Sequence, residues 1–555
     1  MIYHARHTTV PRLTPAKRPL AFVLGVVASL LLTGCGDRDK APEAGKTAST
    51  ASSPASAPKT VLDFGFSKDI RNLNPHLYLG EMAAQDMVFE GLTKNTPEGI
   101  APALAESWEL SPDARVYTFH LRHGVTFTDG ASFNAEAVAK NVDAILANRS
   151  RHAWMDFVNL IDHHEAVDTY TWRLTLKKPY FPTLIELGLI RPFRFLSPNC
   201  FKDGGTVNGV TCLEGTGPWK LKDHQRNQVA HFVRNEHYWG TAPKLEAINW
   251  WVIPEAQTLL AALKKGEIQL VFGSDGDQLS ADAMAALEKD THFKTYYSQP
   301  IASRAVLLNA TQPITGDQRV REAIQLAVNR PAIVTGLLNG KETEATTLFA
   351  RNVPGCDIDL APRLYDSKAA ATLLDEAGWV LQSDGRRVKN GQPLAIRFFF
   401  NAQNAQEKAI ALAIQADLKA VGIDLAVIGE EKQAFLDRMR TGDFDLLYSL
   451  SWGAPYDPQS YLSSWRQPSH GDYQAQRGLP DKAQIDAWIG EYMVEPDADA
   501  RNAILGKILR RVHASAVYLP ISFSRIKVAA SENLQGVTFG ASQYEIPFEK
   551  LSFEK

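Results

Sequence analysis

Apolar residues recur along this chain with two periods. Val61-Leu-Asp-Phe-Gly-Phe66 and Val116-Tyr-Thr-Phe-His-Leu-Arg122 alternate apolar with small or polar positions, which predicts half-buried strands. Helical spacing predicts a helix over 83–92, reached through the turn-rich segment Leu73-Asn-Pro-His-Leu-Tyr78. A second is predicted over 135–146, capped by Asn134 and following a tight turn at Phe127-Thr-Asp-Gly130. Strand-like text at 245–253, a helical pattern at 256–264 and an apolar strand at 268–272 follow in the order of a crossover unit. After about residue 299 a second series begins. It has helical patterns at 319–329, 367–377, 406–421 and 501–513, with strands at 394–400, 425–428, 444–450 and 518–522. Two successive series of strands and helices predict an α/β chain with more than one core.

The N-terminus follows neither period. Arg6, Arg12, Lys17 and Arg18 precede an apolar run from Leu20 to Leu32, short for a bilayer span but suited to the core of a signal peptide. The run ends in Leu32-Thr33-Gly34-Cys35, which resembles a bacterial lipobox, so residues 1–34 are expected to be removed and Cys35 to carry lipid chains. From Gly36 to about Thr60 the text turns to Ala, Ser, Pro, Lys and Asp, reading as a tether rather than a core. Export makes a loop-closing disulfide between Cys200 and Cys212 plausible and leaves Cys356 unpaired.

Composition narrows the function classes. The 555 residues are 45% hydrophobic and 22% charged with a net charge of -3, and no basic stripe interleaves with aromatics, which argues against nucleic-acid binding. No His-Glu-x-x-His, Gly-x-Ser-x-Gly or phosphate-cradling glycine loop is present, so no enzyme class is indicated. Asp162-His163-His164-Glu165 is the one acidic, His-rich cluster, and it reads as a solvated strand end or turn, because neighbours on an extended segment point to opposite faces.

One stretch stands apart. Trp452-Gly-Ala-Pro-Tyr456-Asp-Pro-Gln-Ser-Tyr461-Leu-Ser-Ser-Trp465-Arg466-Gln-Pro-Ser-His470 gathers four aromatic rings, three prolines, an Arg and a His directly after a strand. It predicts a loop that presents rings at a strand end, the composition of a ligand site.

Together with Gly215-Thr-Gly-Pro-Trp219, Arg234-Asn-Glu-His-Tyr-Trp239 and Val320-Arg-Glu-Ala-Ile-Gln-Leu-Ala-Val-Asn-Arg330, these segments resemble family 5, the peptide/nickel family of extracellular solute-binding proteins of ABC importers. Arg151-His-Ala-Trp154, Arg191-Pro-Phe-Arg-Phe195 and the stretch from Trp452 to Tyr456 carry a closer likeness to its nickel-binding members. The resemblance implies a two-lobed α/β periplasmic binding protein fold of the large, cluster C type, with a hinge and a central cleft. Lobe I would comprise residues 61–299 and 523–555, and lobe II residues 300–522. It implies a chain with no catalytic cofactor that captures a transition metal, nickel(II) foremost, already wrapped in a small carboxylate-bearing metallophore or histidine. The chain would deliver this cargo to permease subunits in the inner membrane, acting as a monomer held in the periplasm by its lipid anchor.

By the same resemblance, His470 ligates the metal, Arg151 and Arg191 hold the chelator's carboxylates, and Tyr78, Met82, Trp154, Trp452 and Tyr456 line the pocket. The chemistry of the residue types agrees: guanidinium forks suit carboxylates, and imidazole suits nickel but equally cobalt, copper or zinc. Arg194 reads as a surface ion pair. Leu436 stands where nickel-binding relatives carry a Tyr, so the edge of the pocket is expected to differ. The rival cargo within the family is a di- or oligopeptide or haem. From other classes, a secreted hydrolase lacks a motif, and an envelope scaffold leaves the ring-bearing stretch without a role.

Overall fold

The computed structural model describes residues 59–273 and 277–554. The signal-peptide and lipobox expectations, Cys35 included, and most of the tether lie outside the described residues. Among those described, no helix is long and apolar enough to cross a membrane.

Two main sheets organise the chain. The first has seven strands in the order Trp219–Gln225, Val229–Arg234, Ala247–Val252, Val61–Phe66, Leu270–Phe272, Lys527–Ser531, Phe293–Tyr297. Val61–Phe66 runs parallel to both of its neighbours, with helix Ala256–Lys264 making the crossover, as the strand-helix-strand order predicts. The second sheet has six strands, ordered Thr343–Glu344, Tyr518–Ser524, Ala302–Leu308, Leu446–Leu450, Ala395–Asn401, Asp424–Glu430. The chain passes between the two sheets twice, at 297–302 and at 524–527. A four-stranded antiparallel sheet, Ala105–Leu110, Val116–Leu121, Thr171–Leu176, Ile161–Ala166, belongs to the first half of the chain.

Alternating strands bury alternate residues, and the cores form where those faces meet. Phe64, Phe66, Trp250 and Phe548 pack under the first sheet. Val306, Leu308, Phe398, Ile414 and Leu446 pack under the second. A third cluster joins Phe119, Trp172 and Leu174 of the four-stranded sheet to Leu307, Leu447, Tyr461 and Trp465 from the second half of the chain. Apolar packing therefore runs across the region where the two halves face each other.

Several expectations shift. Helix Met82–Val88 stops short of residue 92, because Phe89 is extended and its buried ring serves the core from a non-helical backbone. Apolar spacing alone does not separate those two outcomes. Helix Ala135–Leu146 is as expected, with the Asn134 side chain accepting from the Ala137 N–H at 2.9 Å. Asp162–Glu165 lies within strand Ile161–Ala166. His164 is turned inward there, with 7% of its side chain exposed, 3.2 Å from Asp143, while His163 faces solvent. Cys200 and Cys212 are joined in a disulfide with Cα atoms 4.9 Å apart, and Cys356 is free and buried.

Candidate functional site

The ring-bearing stretch is anchored before it presents anything. Strand Leu446–Leu450 delivers the chain to Gly453, whose φ of +74° and whose 2.9 Å approach of an added Cβ to the Ile301 carbonyl leave room only for glycine. The Asp457 carboxyl then gathers the turn, accepting from Ser451 Oγ at 2.5 Å and the Gly453 N–H at 3.0 Å. Burial pushes this carboxyl up to about 7. Gln543 donates to the Trp452 carbonyl at 2.8 Å. The stretch is not one open loop, however. It contains helix Gln459–Ser464, preceded by Pro458, and Trp465 is fully buried core. Of its four rings, Tyr461 and Trp465 are 2% and 0% exposed and serve packing rather than display at the strand end.

Trp452 is the junction of the site. Its ring lies 5.7 Å from that of His470, 6.2 Å from Tyr456 and 5.3 Å, edge to face, from Trp154. His470 precedes helix Gly471–Gln476, and burial lowers its pKa against the opposing pull of Asp472, so the neutral form prevails at neutral pH. Asp472 is itself buried, accepting from the Tyr461 and Tyr518 hydroxyls at 2.6 and 2.8 Å. Tyr456 is 6% exposed, and burial pushes its hydroxyl up to about 12 even though the charge of Arg191 reaches it.

Across from Trp452, Trp154 donates from Nε1 to the Tyr78 hydroxyl oxygen at 2.8 Å. Arg191 lies over the Tyr78 ring, 5.1 Å from its centroid, and donates to the Gly80 carbonyl at 3.2 Å. Gly80 is required there, since an added Cβ would stand 2.4 Å from the Asn72 carbonyl oxygen. Arg151, exposed on the short turn Arg149–His152, acts on Tyr78 through its charge. Met82 opens helix Met82–Val88 two residues after Gly80 and is half-buried. Thus Tyr78, Trp154, Arg191, Trp452, Tyr456 and His470, spread over some 390 positions of sequence, form one continuous set of ring and charge contacts. Arg151 stands at its edge, and Met82 lies beside it in sequence.

One residue departs from expectation. Arg194 is not a surface ion pair. It is 5% exposed, pairs with Asp86 at 3.1 Å and donates to the Leu189 carbonyl at 2.9 Å, because the chain folds its guanidinium into the backbone behind the site. Leu436 lies on helix Lys432–Thr441 and is 43% exposed.

Sequence reasoning passed over His152. Lying between Arg151 and Trp154, it is 0% exposed, with Nδ1 2.7 Å from the Tyr78 hydroxyl and Nε2 buried without a partner. Its position inside the Arg151-His-Ala-Trp154 stretch was the available signal. Tyr78 also lines a cavity of about 910 Å³, together with Asp69, Arg71, Glu214, Asp223, His224 and Arg226 among others. Among the described residues, no three His, Cys, Asp or Glu side chains converge as a metal cage. This arrangement can hold a flat or chelated ligand by rings and guanidinium groups, and it offers a metal one imidazole.

Similarity to known proteins agrees with this picture. The chain is 43% identical over 482 residues, 86% of its length and 92% of the relative's, to the nickel-binding periplasmic protein of Escherichia coli K12. It is 32% identical over 277 residues, half of each chain, to the glutathione-binding protein GsiB of Shigella boydii. Its structure matches that of NikA from Brucella suis in complex with Fe(III)-EDTA at a TM-score of 0.87 and 45% identity, covering 89% of this chain and all of the other. The chain thus has the two-domain fold of a periplasmic binding protein. The model of bacterial extracellular solute-binding proteins, family 5, matches residues 99–473. With most of its length covered both by that model and by such relatives, this chain belongs to family 5 of the bacterial extracellular solute-binding proteins.

Proposed function

We propose that this chain is the solute-binding component of an ABC importer that captures a chelated transition metal, nickel(II) foremost, and hands it to the permease. Its work is binding and delivery rather than catalysis. The observation that carries this reading is the meeting of one neutral imidazole, His470, with the Trp452–Trp154 pair and the Arg191–Tyr78 pair. One imidazole leaves most of a nickel shell to be filled by other nitrogen or oxygen donors. A chelator fills it: carboxylates on Arg191 and Arg151, flat surfaces against the indoles, metal to His470. The nickel-binding name of the Escherichia coli relative and the Fe(III)-EDTA held by the Brucella suis one support a chelated metal as cargo. Met82 and Tyr456 complete the pocket wall in this reading. The lobes are residues 61–299 with 523–555, and 300–522, turning about the two crossings at 297–302 and 524–527. Cys35 carries the lipid that keeps the monomer at the periplasmic membrane surface.

A peptide cargo is the second reading. It is favoured by the glutathione-binding relative and by the cavity beside Tyr78, whose Asp69, Glu214 and Asp223 could face an amino terminus. Calorimetric titration with nickel and histidine premixed tests the first reading. His470→Ala should weaken binding at least tenfold while thermal unfolding is unchanged, and unchanged affinity would remove the metal from the site. Native mass spectrometry of the protein from periplasmic extract separates the cargoes, by one metal-plus-chelator increment against a spread of peptide masses.

A further inference from the structure

Resting on that reading, we propose that His152 is a positioning residue that turns the Tyr78 hydroxyl into a hydrogen-bond donor aimed at a carboxylate of the cargo. The Tyr78 oxygen accepts from Trp154 Nε1 at 2.8 Å, and an indole N–H can only donate. His152 Nδ1 lies 2.7 Å from the same oxygen, so one proton stands between them, on either the phenol or the imidazole.

If the phenol gave its proton to Nδ1, a neutral His152 would carry its own proton on Nε2. That atom is buried without a partner in a side chain that is 0% exposed. Buried N–H groups without acceptors are rarer than under-used acceptors, because the donor loses its water outright. If Nδ1–H donates instead, the Tyr78 oxygen accepts twice, Nε2 keeps only a lone pair, and the phenol proton is left for a third group. The ring is neutral in either case: burial and the charge of Arg151 hold its pKa down at about 4. Burial also keeps the Tyr78 hydroxyl protonated.

The freed proton belongs to a phenol whose ring carries the Arg191 guanidinium 5.1 Å from its centroid. A hydroxyl that only donates, beside a guanidinium that only donates, makes a cradle with no acceptor of its own. Such a cradle favours a carboxylate and disfavours an ammonium group at the same place.

Two measurements test this. Nitrogen NMR of histidine-labelled protein without cargo should show His152 as the Nδ1–H tautomer, and the Nε2–H tautomer would overturn the proposal without touching the site reading. With nickel and histidine premixed as the probe, His152→Leu and Tyr78→Phe should each weaken binding about tenfold to a hundredfold, and the double variant no further than the worse single one. His152→Asn, whose side-chain N–H can stand near the place of Nδ1–H, should recover part of the loss. Additive losses, or no recovery, in a wild type that does bind the probe would sink the inference. A wild type that binds no nickel complex, or an indifferent His470→Ala, would instead sink the function proposed above.

Discussion

Glu342→Gln removes one of two carboxylates from a buried group of charges that joins the two sheets. Arg304, on a strand of the six-stranded sheet, donates to Glu342 at 2.9 and 3.1 Å, to Asp277 at 2.8 Å and to the Tyr448 hydroxyl at 3.1 Å. Lys527, on a strand of the seven-stranded sheet, donates to Asp277 at 2.7 Å and to Glu342 at 3.0 Å, and Ser522 donates to Glu342 at 2.6 Å. The four side chains are 4%, 0%, 8% and 6% exposed for Arg304, Glu342, Asp277 and Lys527. Two cations and two anions balance, and the amide leaves one positive charge uncompensated. Breaking a buried pair in this way costs about 3–5 kcal/mol, and the amide oxygen keeps one acceptor, so about 3 kcal/mol is expected. That is about a hundredfold in the folding constant. Urea unfolding should show a lower midpoint with an unchanged slope, whereas Arg351→Ala, which removes an ion pair in which both side chains are about two-thirds exposed, should change almost nothing. A loss below 1 kcal/mol for Glu342→Gln would refute the reasoning. The pH dependence has a definite sign. Burial pushes both acids up, but Arg304 and Lys527 outweigh it and hold Asp277 at about 2 and Glu342 below its ordinary value. Their contribution is therefore complete above the ordinary carboxylate range and lost as pH falls toward 2.

Glu186 titrates in the opposite sense. Buried with Tyr180 donating at 3.0 Å and Ser460 at 3.2 Å, it is raised to about 8, so stability is greatest below about 4.5 and falls as pH rises toward 8. Glu186→Gln should flatten that slope in thermal melts taken from pH 5 to pH 8, and an unchanged slope would show that Glu186 is not its source. Arg191→Lys keeps the charge but loses the fork, and should weaken calorimetric binding of a carboxylate chelate of nickel about tenfold; equal affinity would mean that only charge matters there. Converting both Cys200 and Cys212 to Ser opens a loop of sequence separation 12 and should lower stability by about 3 kcal/mol in urea unfolding, with binding unchanged.

What could be read from sequence was local. The alternation of Val61–Phe66 and the Asn134 cap depend on neighbours a few positions away, and both elements fall where the pattern places them. The ring set was legible in part because Trp452 to His470 has an unusual composition on its own, whereas Tyr78, Arg151, Trp154 and Arg191 were reached through the resemblance. Arg194 and the Arg304 group were not legible. A buried ion pair has no local signature: Arg304 meets Glu342 across 38 positions and Lys527 meets Asp277 across 250, and in sequence each reads as an ordinary solvated charge. Pro458 ahead of Gln459–Ser464 was a helix start signal, masked by the aromatic residues that made the stretch look like a loop.

Helix Gln459–Ser464 also links the two halves of the chain. It begins three residues after Tyr456, and its Ser460 and Ser463 reach Glu186 and Asp156 of the first half of the chain, with Ser463 Oγ donating to Asp156 at 2.9 Å and Arg466 pairing with the same carboxylate. One short element thus ties the position of Trp452 and Tyr456 to contacts with the segment that carries Trp154. Trp154, in edge-to-face contact with Trp452, stands two residues from Asp156, so in the proposed function a ligand gripped against the indoles would bear on the same surfaces that join the two halves.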